Sequence, residues 1–478
     1  MIKHTFSCVL PVLIGSMLFS CSTPKKDTST QASTTEKANP SGTDKIKLIT
    51  LDPGHFHAAL VQKSMYANVD SVVYVYAPAG EDLQEHLKKI EAYNTRSENP
   101  AAWKEEVYTG ADYLPKMLQE KKGNVVVLAG NNQKKTEYIK AAVAAGLNVL
   151  ADKPMAINSQ SFDLLKEAFA SAEKNNVLLY DIMTERYEIT TMLQRELSRL
   201  PEVFGTLQEG TPTEPAITKE SVHHIFKYVS GNPLKRPAWF FDVTQQGEGI
   251  VDVTTHLVDL VQWECFPEQV INYEQDIKIS DARRWKTLIT PSQFKKVTQM
   301  ATYPEYLKNS VEKDSLLGVY CNGEINYQIK GVHAKVSVIW NFQAPEGAGD
   351  THYSLMKGTK ANLIIRQGKE QNYKPQLYIE PAKGTDIKGF ETDLKNALTK
   401  VQRQYPGVEF QKAGNAWLVI APEKYHNGHE AHFGQVTEKY LQFLTAGEMP
   451  AWEVPNMLAK YYTTTKALEI AKQKAKDM

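Results

Sequence analysis

The period of apolar positions along the chain changes near residue 182. Before it, short apolar runs at 46–51, 72–76, 124–129, 147–151 and 177–181 alternate with amphipathic stretches, the spacing of strand, helix, strand. Such runs read as strands buried on both faces, so the pattern predicts an α/β domain over 45–182 with a doubly wound parallel sheet covered by helices. Within it, 134–146 sets Tyr138, Ile139, Ala142, Val143 and Ala145 at helical spacing, and Gly146 stands where a helix would stop. After 182 the pattern alternates: from His333 to Phe342 it puts Ala334, Val336, Val338 and Trp340 on one face, and further strand-like pieces lie at 361–366, 376–379 and 416–420. This predicts a second, α+β domain over 183–478 with a mostly antiparallel sheet. Helical spacing appears at 391–405, 433–444 and 456–474, whereas 275–315 is charged and mixed and yields no assignment.

The N-terminus changes this picture. Lys3 precedes an apolar stretch from Val9 to Phe19, too short to span a bilayer as a mature helix, which reads as a secretory signal. It ends in Leu18-Phe19-Ser20-Cys21, which resembles the bacterial lipobox. Residues 1–21 are therefore expected to be a lipoprotein signal, Cys21 the lipidated residue, and 22–44, rich in Ser, Thr and Lys, a disordered tether. The expected location is the cell envelope, lipid-anchored in the outer membrane and facing the periplasm. Cys265 and Cys321 remain for the folded part, so no disulfide framework is implied. Lysine plus arginine equal aspartate plus glutamate at 55 each, which leaves no basic footprint for nucleic acid and points to a neutral, polar small molecule.

Chemistry concentrates in two segments. Residues 145–156, Ala-Gly-Leu-Asn-Val-Leu-Ala-Asp-Lys-Pro-Met-Ala, read as a helix end and a buried strand stopping at Asp152-Lys153-Pro154. A lysine at the carboxyl end of a parallel strand reaches the crevice where such sheets bind ligands. In the second segment, 247–261, Asp252, His256 and Asp259 fall at i, i+4 and i+7 and would share one face of a helix. A histidine oriented by a carboxylate suits removal of a hydroxyl proton near neutral pH.

Together these segments resemble the Gfo/Idh/MocA oxidoreductases, whose first domain is a Rossmann-like dinucleotide-binding domain. Asp152-Lys153-Pro154 stands where that family has Glu-Lys-Pro, and 247–261 resembles its Gly-Gly-Gly-x-x-x-Asp-x-x-x-His-x-x-Asp helix. The resemblance implies catalytic Lys153, Asp252 and His256, with His256 as base and Asp252 orienting it. It implies cofactor contacts from Asp152, Lys153, Pro154, Asn131 and Asn132, and substrate contacts from Arg186, Tyr187, Trp239 and Asp259. The activity implied is NAD- or NADP-dependent oxidation of a CH–OH group of a sugar, glycoside or polyol. Homo-oligomers are common in the family.

The nucleotide fingerprint departs from the family. Where Gly-x-Gly-x-x-Gly should follow the first strand, the chain has Asp52-Pro53-Gly54-His55-Phe56-His57; Gly54 alone survives, with His55 and Phe56 beside it as the remaining candidate contacts. The second strand ends without its usual acidic residue, for which Glu81 or Asp82 could substitute from the next turn. Outside the cytoplasm no exchangeable nicotinamide pool exists, so the cofactor would be tightly bound and the chemistry redox-neutral. Two competing readings remain: a retired enzyme that binds sugar without catalysis, and a metal-dependent hydrolase or lyase around His426, His429 and His432. The pairs His55 with His57 and His223 with His224 invite the same reading, but no metal is assigned, because the spacing of His426, His429 and His432 fixes no further ligand.

Overall fold

The computed structural model describes residues 45–229 and 232–477, and the chain from Lys45 onward is one compact unit. The expected signal, Cys21 and the 22–44 tether lie outside the described residues. No described helix is long and apolar enough to cross a membrane.

The first sheet has six parallel strands, β1 Leu48–Leu51, β2 Val72–Tyr76, β3 Lys104–Tyr108, β4 Val125–Leu128, β5 Asn148–Asp152 and β6 Leu179–Ile182. Their order is 3-2-1-4-5-6, so the topology reverses between β1 and β4 and a crevice opens at their carboxyl ends. Leu-Ile-Thr-Leu of β1 and Val-Val-Val-Leu of β4 are buried throughout, which explains why neither alternates apolar with exposed polar residues. β3 has no counterpart among the expected strands. Its sequence, Lys-Glu-Glu-Val-Tyr, is polar because it forms the sheet edge, where charge discourages pairing with another chain.

Five helices cover this sheet: α1 His57–Val61, α2 Glu81–Thr95, α3 Tyr113–Glu120, α4 Lys135–Ala144 and α5 Ser159–Lys174. A reciprocal Asn158–Ser161 capping box starts α5. On α2, His86 is 4% exposed and neither ring nitrogen has a partner. Burial, with Lys89 adding to it, pushes its pKa down to about 4. The unfolded chain therefore takes up this proton near pH 6.5 while the folded chain refuses it until about 4, and stability falls as pH falls through that window. His86→Leu should flatten the stability profile there by about 1.4 kcal/mol per pH unit, read from urea unfolding at several pH values.

α6 Ile189–Ser198 leads into a nine-stranded sheet. Its strands are β7 Ile217–Phe226, β10 Ile277–Ile289, β11 Leu317–Ile329, β12 Val332–Gln343, β13 Thr351–Lys357, β14 Ala361–Gln367, β15 Gln376–Pro381, β16 Glu409–Ala413 and β17 Ala416–Ile420. A two-residue ladder, β8 Tyr228–Val229 with β9 Asn232–Pro233, stands apart. The order is 10-11-12-7-13-14-15-17-16, and every pair is antiparallel except β12 with β7. The unassigned stretch 275–315 holds the 13-residue β10 and the helix α9 Pro291–Thr298. Register shifts at Ile279/Asp281 and Trp285/Thr287 invert the side-chain alternation of β10, which hides its period of two.

The remaining helices are α7 Thr254–Cys265, α8 Tyr273–Asp276, α10 Ile387–Gln404, α11 His429–Ala446 and α12 Glu453–Asp477. The last two return to the first sheet. Phe433, Val436, Tyr440, Leu441 and Tyr461 share one core with Leu179, Tyr180 and Ile182, and Tyr440 stacks on Tyr180 at 5.9 Å. Cys265 and Cys321 are free.

Candidate active site

The carboxyl ends of β1, β5 and β6 deliver the side chains of the crevice. From β5 come Asp152 and Lys153, the latter joined to Pro154 by a cis peptide. Facing them is the turn before α7, pressed onto β11 so closely that a Cβ on Gly249 would lie 1.8 Å from the Cys321 carbonyl oxygen. Only glycine permits that approach, and the approach aims Asp252 into the crevice.

Lys153 donates to Asp252 Oδ1, both nearly buried, and Gln246 Nε2 donates to Asp252 Oδ2 at 3.0 Å. Burial raises the Asp252 carboxyl, but the Lys153 ammonium outweighs it and the net shift is downward. This corrects the expected role of Asp252. It does not orient His256, because α7 begins only at Thr254 and the turn points the carboxylate at Lys153 instead. His256 lies deep in the cluster with Nδ1 unpartnered; burial and the Lys153 ammonium push its pKa down to about 4, so it is neutral at pH 7.

A carboxylate-oriented histidine does exist here, at a place the sequence did not single out for that role. His57 Nδ1 lies 2.9 Å from Asp152 Oδ2, and His55 Nδ1 lies 3.5 Å from the same oxygen. Burial holds the His57 pKa down to about 4 although Asp152 opposes it. Lys135 Nζ donates to the Asp152 carbonyl at 3.0 Å, and burial holds its pKa near 8. Lys135 was not foreseen, and the sequence offers His57 only as a neighbour of His55 with no tie to Asp152; only the tertiary fold brings α1 and α4 to the end of β5.

Beyond His57, a cavity of ≈650 Å³ opens between α6, β15, β17 and the start of α11. Glu185, His429 and His432 line it, with His429 Nε2 3.9 Å from Glu185 Oε1 and its ring 5.8 Å from that of His57. Although burial raises the Glu185 carboxyl, the imidazoles of His256, His429, His432 and His352 hold it below its ordinary value. All three spaced histidines line this cavity: His429 and His432 stand near Glu185, while His426 Nε2 also reaches the Ala421 carbonyl at 3.4 Å. Glu185 and His429 carried no sequence signal that tied them to one cavity.

Arg186 and Asp259, expected at the substrate, are committed elsewhere. Arg186 grips Asp259 through two 2.7 Å bonds and reaches Glu453 at 3.2 Å, and Lys460 bridges Asp259 at 2.8 Å and Asp181 at 2.7 Å. This buried cluster ties β6, α7 and α12 together. Tyr187 is packed against the core. Trp239, expected to stack on a sugar, instead donates Nε1–H to Asp82 at 2.9 Å and lies over Gly54.

The crevice suits a dinucleotide unevenly. Near β2 a cavity of ≈220 Å³, lined by Asp52, Pro78, Gly80 and Asp82, occupies the adenosine side. At the other end Asn132 Oδ1 is buried without a partner, a polar atom that a nicotinamide riboside would satisfy, with Lys153 between the strands and α7. Asn131 and Asn132 are themselves anchored to Gln245 and Gln246. Between these ends the loop is altered: the Gly54 and His55 amides both donate to the Ala129 carbonyl at 3.2 Å rather than into the crevice. The residues present fit both ends of the cofactor and replace the usual diphosphate cradle.

The family model described as "Oxidoreductase family, NAD-binding Rossmann fold" (GFO_IDH_MocA) matches residues 53–181, and that described as "Putative oxidoreductase C terminal domain" matches residues 193–472. No curated protein matches the sequence. The crystal structure of a "putative oxidoreductase" from Parabacteroides merdae is 64% identical with a TM-score of 0.89, over 90% of this chain and 98% of that one. The fold is shared with levoglucosan dehydrogenase, solved with NADH and levoglucosan, at 11% identity and a TM-score of 0.57 over 90% and 98% of the two chains. It is shared too with biliverdin reductase from Synechocystis, solved with biliverdin and NADP+, at 12% identity and a TM-score of 0.54 over 89% and 99%.

Proposed function

Since the chain belongs to the Gfo/Idh/MocA oxidoreductase family and carries its NAD-binding Rossmann domain, we propose that it oxidises a CH–OH group of a sugar, glycoside or polyol with a tightly held NAD or NADP. The observation that carries this reading is the buried Lys153–Asp252 pair beside His256, at the strand ends next to a largely apolar cavity into which Glu185, His429 and His432 project.

The nicotinamide, when bound, supplies the hydride acceptor. Lys153 hydrogen-bonds the reacting hydroxyl and stabilises the developing alkoxide, while Asp252 holds the ammonium in place. His256 Nδ1, neutral and without a partner, receives the hydroxyl proton. Glu185 and His429 orient the rest of the substrate through its other hydroxyls and offer a second proton-handling pair. In the envelope location we assign to this chain, through a lipid at Cys21, the cofactor is regenerated in place by redox-neutral turnover. The replaced diphosphate cradle favours one rival, a protein that binds sugar and holds no cofactor.

Denaturing the purified full chain and assaying the supernatant by absorbance and mass separates the two. Near-stoichiometric NAD or NADP is expected. No release, together with no uptake of either added nucleotide, would exclude the hydride reading and leave the binding protein.

A further inference from the structure

The loop between β1 and α1 has exchanged one binding chemistry for another. A loop that cradles phosphate needs free amides, yet those of Gly54 and His55 are closed onto the Ala129 carbonyl, Pro53 before them has no amide hydrogen, and the acid Asp52 precedes it. What the loop presents instead are two imidazoles. His55 and His57 converge with Asp152 so that one ligand atom from each lies within 4.8 Å of the other two, the only such cluster among the described residues.

We propose that His55, His57 and Asp152 bind a divalent first-row transition cation through two nitrogens and one oxygen. That donor set is the one used by catalytic zinc and by open non-haem sites, with positions left for an exogenous oxygen ligand. Three features support it. His55 Nδ1 is buried, yet has no hydrogen-bond partner, since 3.5 Å from Asp152 with its geometry makes no bond. Its side chain keeps 23% exposure, so the cluster is open on the crevice side. Lys135, on the Asp152 carbonyl, fixes the strand end that carries the carboxylate, the kind of outer support metal ligands commonly have. The nearby charge of Lys153 is matched by Asp252 and does not oppose a cation alone. The exogenous ligand is an oxygen of the molecule in the crevice.

This inference goes beyond the oxidoreductase reading and stands or falls separately from it. The full chain, purified without a histidine tag, is analysed for metal by mass spectrometry, stripped with chelator, and titrated with Zn(II) and with Co(II), whose visible d–d bands report inner-sphere nitrogen ligands. About one ion per chain is expected. His55→Ala and His57→Ala should each weaken Co(II) binding by more than the ~10- to 100-fold that loss of an outer contact costs, and His426→Ala should leave it unchanged. Should His57→Ala fail to fold by circular dichroism, His55→Ala, on the more exposed ligand, carries the test. Failure of the wild-type chain to bind either ion, or binding indifferent to the variants, would overturn the site. Dinucleotide content of the same samples is assayed in parallel, so that metal without nucleotide and nucleotide without metal are told apart.

Discussion

Lys460→Met will lower the stability of the fold by about 3–5 kcal/mol, the cost typical of breaking a buried ion pair from one side. Lys460 is fully buried and bridges Asp181 and Asp259, while Arg186 pairs with Asp259 and Glu453 on the other side. Removing its ammonium leaves three carboxylates facing a single guanidinium. The deficit should depend on pH with a definite sign. In the wild-type chain burial raises the Asp259 carboxyl, but Arg186 and Lys460 hold it below its ordinary value, so its contribution is present at neutral pH and disappears only in strong acid. In the variant an uncompensated carboxylate takes up a proton more readily folded than unfolded, so the difference between the two proteins narrows as pH falls from 7 towards 5. Urea unfolding at both pH values reads it, and a deficit that grows on acidification would contradict the pairing.

The largest effect on turnover is expected at Lys153. Lys153→Met should reduce the rate of the hydride reaction by ~10²- to 10⁴-fold, the range of a positioned proton-handling group. The same change leaves Asp252 buried without its partner and destabilises the crevice, which could imitate a catalytic loss. The double variant Lys153→Met with Asp252→Asn separates the two: it removes both charges and should recover much of the thermal stability while remaining inactive. Recovery of activity along with stability would reduce Lys153 to a structural role.

The fold was legible wherever burial governs the pattern. β1, β2, β4 and β5 carry predominantly apolar runs because helices cover both faces, and the family resemblance resting on Asp152-Lys153-Pro154 is confirmed by the models that match both domains. It failed at the margins of the sheets, where other physics dominates: β3 is charged because it is an edge, and β10 loses its alternation to two bulges. The site divides in the same way. Lys153 and His256 follow from local motifs, but the partner of each carboxylate does not. That Asp252 turns to Lys153, and Asp152 to His57, depends on where a turn packed against Cys321 and a short helix beside Phe433 happen to point. Spacing along a chain says nothing about directions set by such packing.

The return of α11 and α12 to the first sheet also orders events during synthesis. β6 ends at Ile182, yet Phe433 and Tyr440, which bury its outer face, emerge from the ribosome roughly 250 residues later. At ~5–20 residues per second that is an interval on the order of ten to fifty seconds. Throughout it Tyr180 and its neighbours face water with no covering helix, and the Rossmann half cannot reach its final packing before the chain is nearly finished. A nascent chain arrested between residues 200 and 420 should therefore present a sticky, protease-sensitive sheet to whatever chaperone escorts it, and release from the ribosome should close that window.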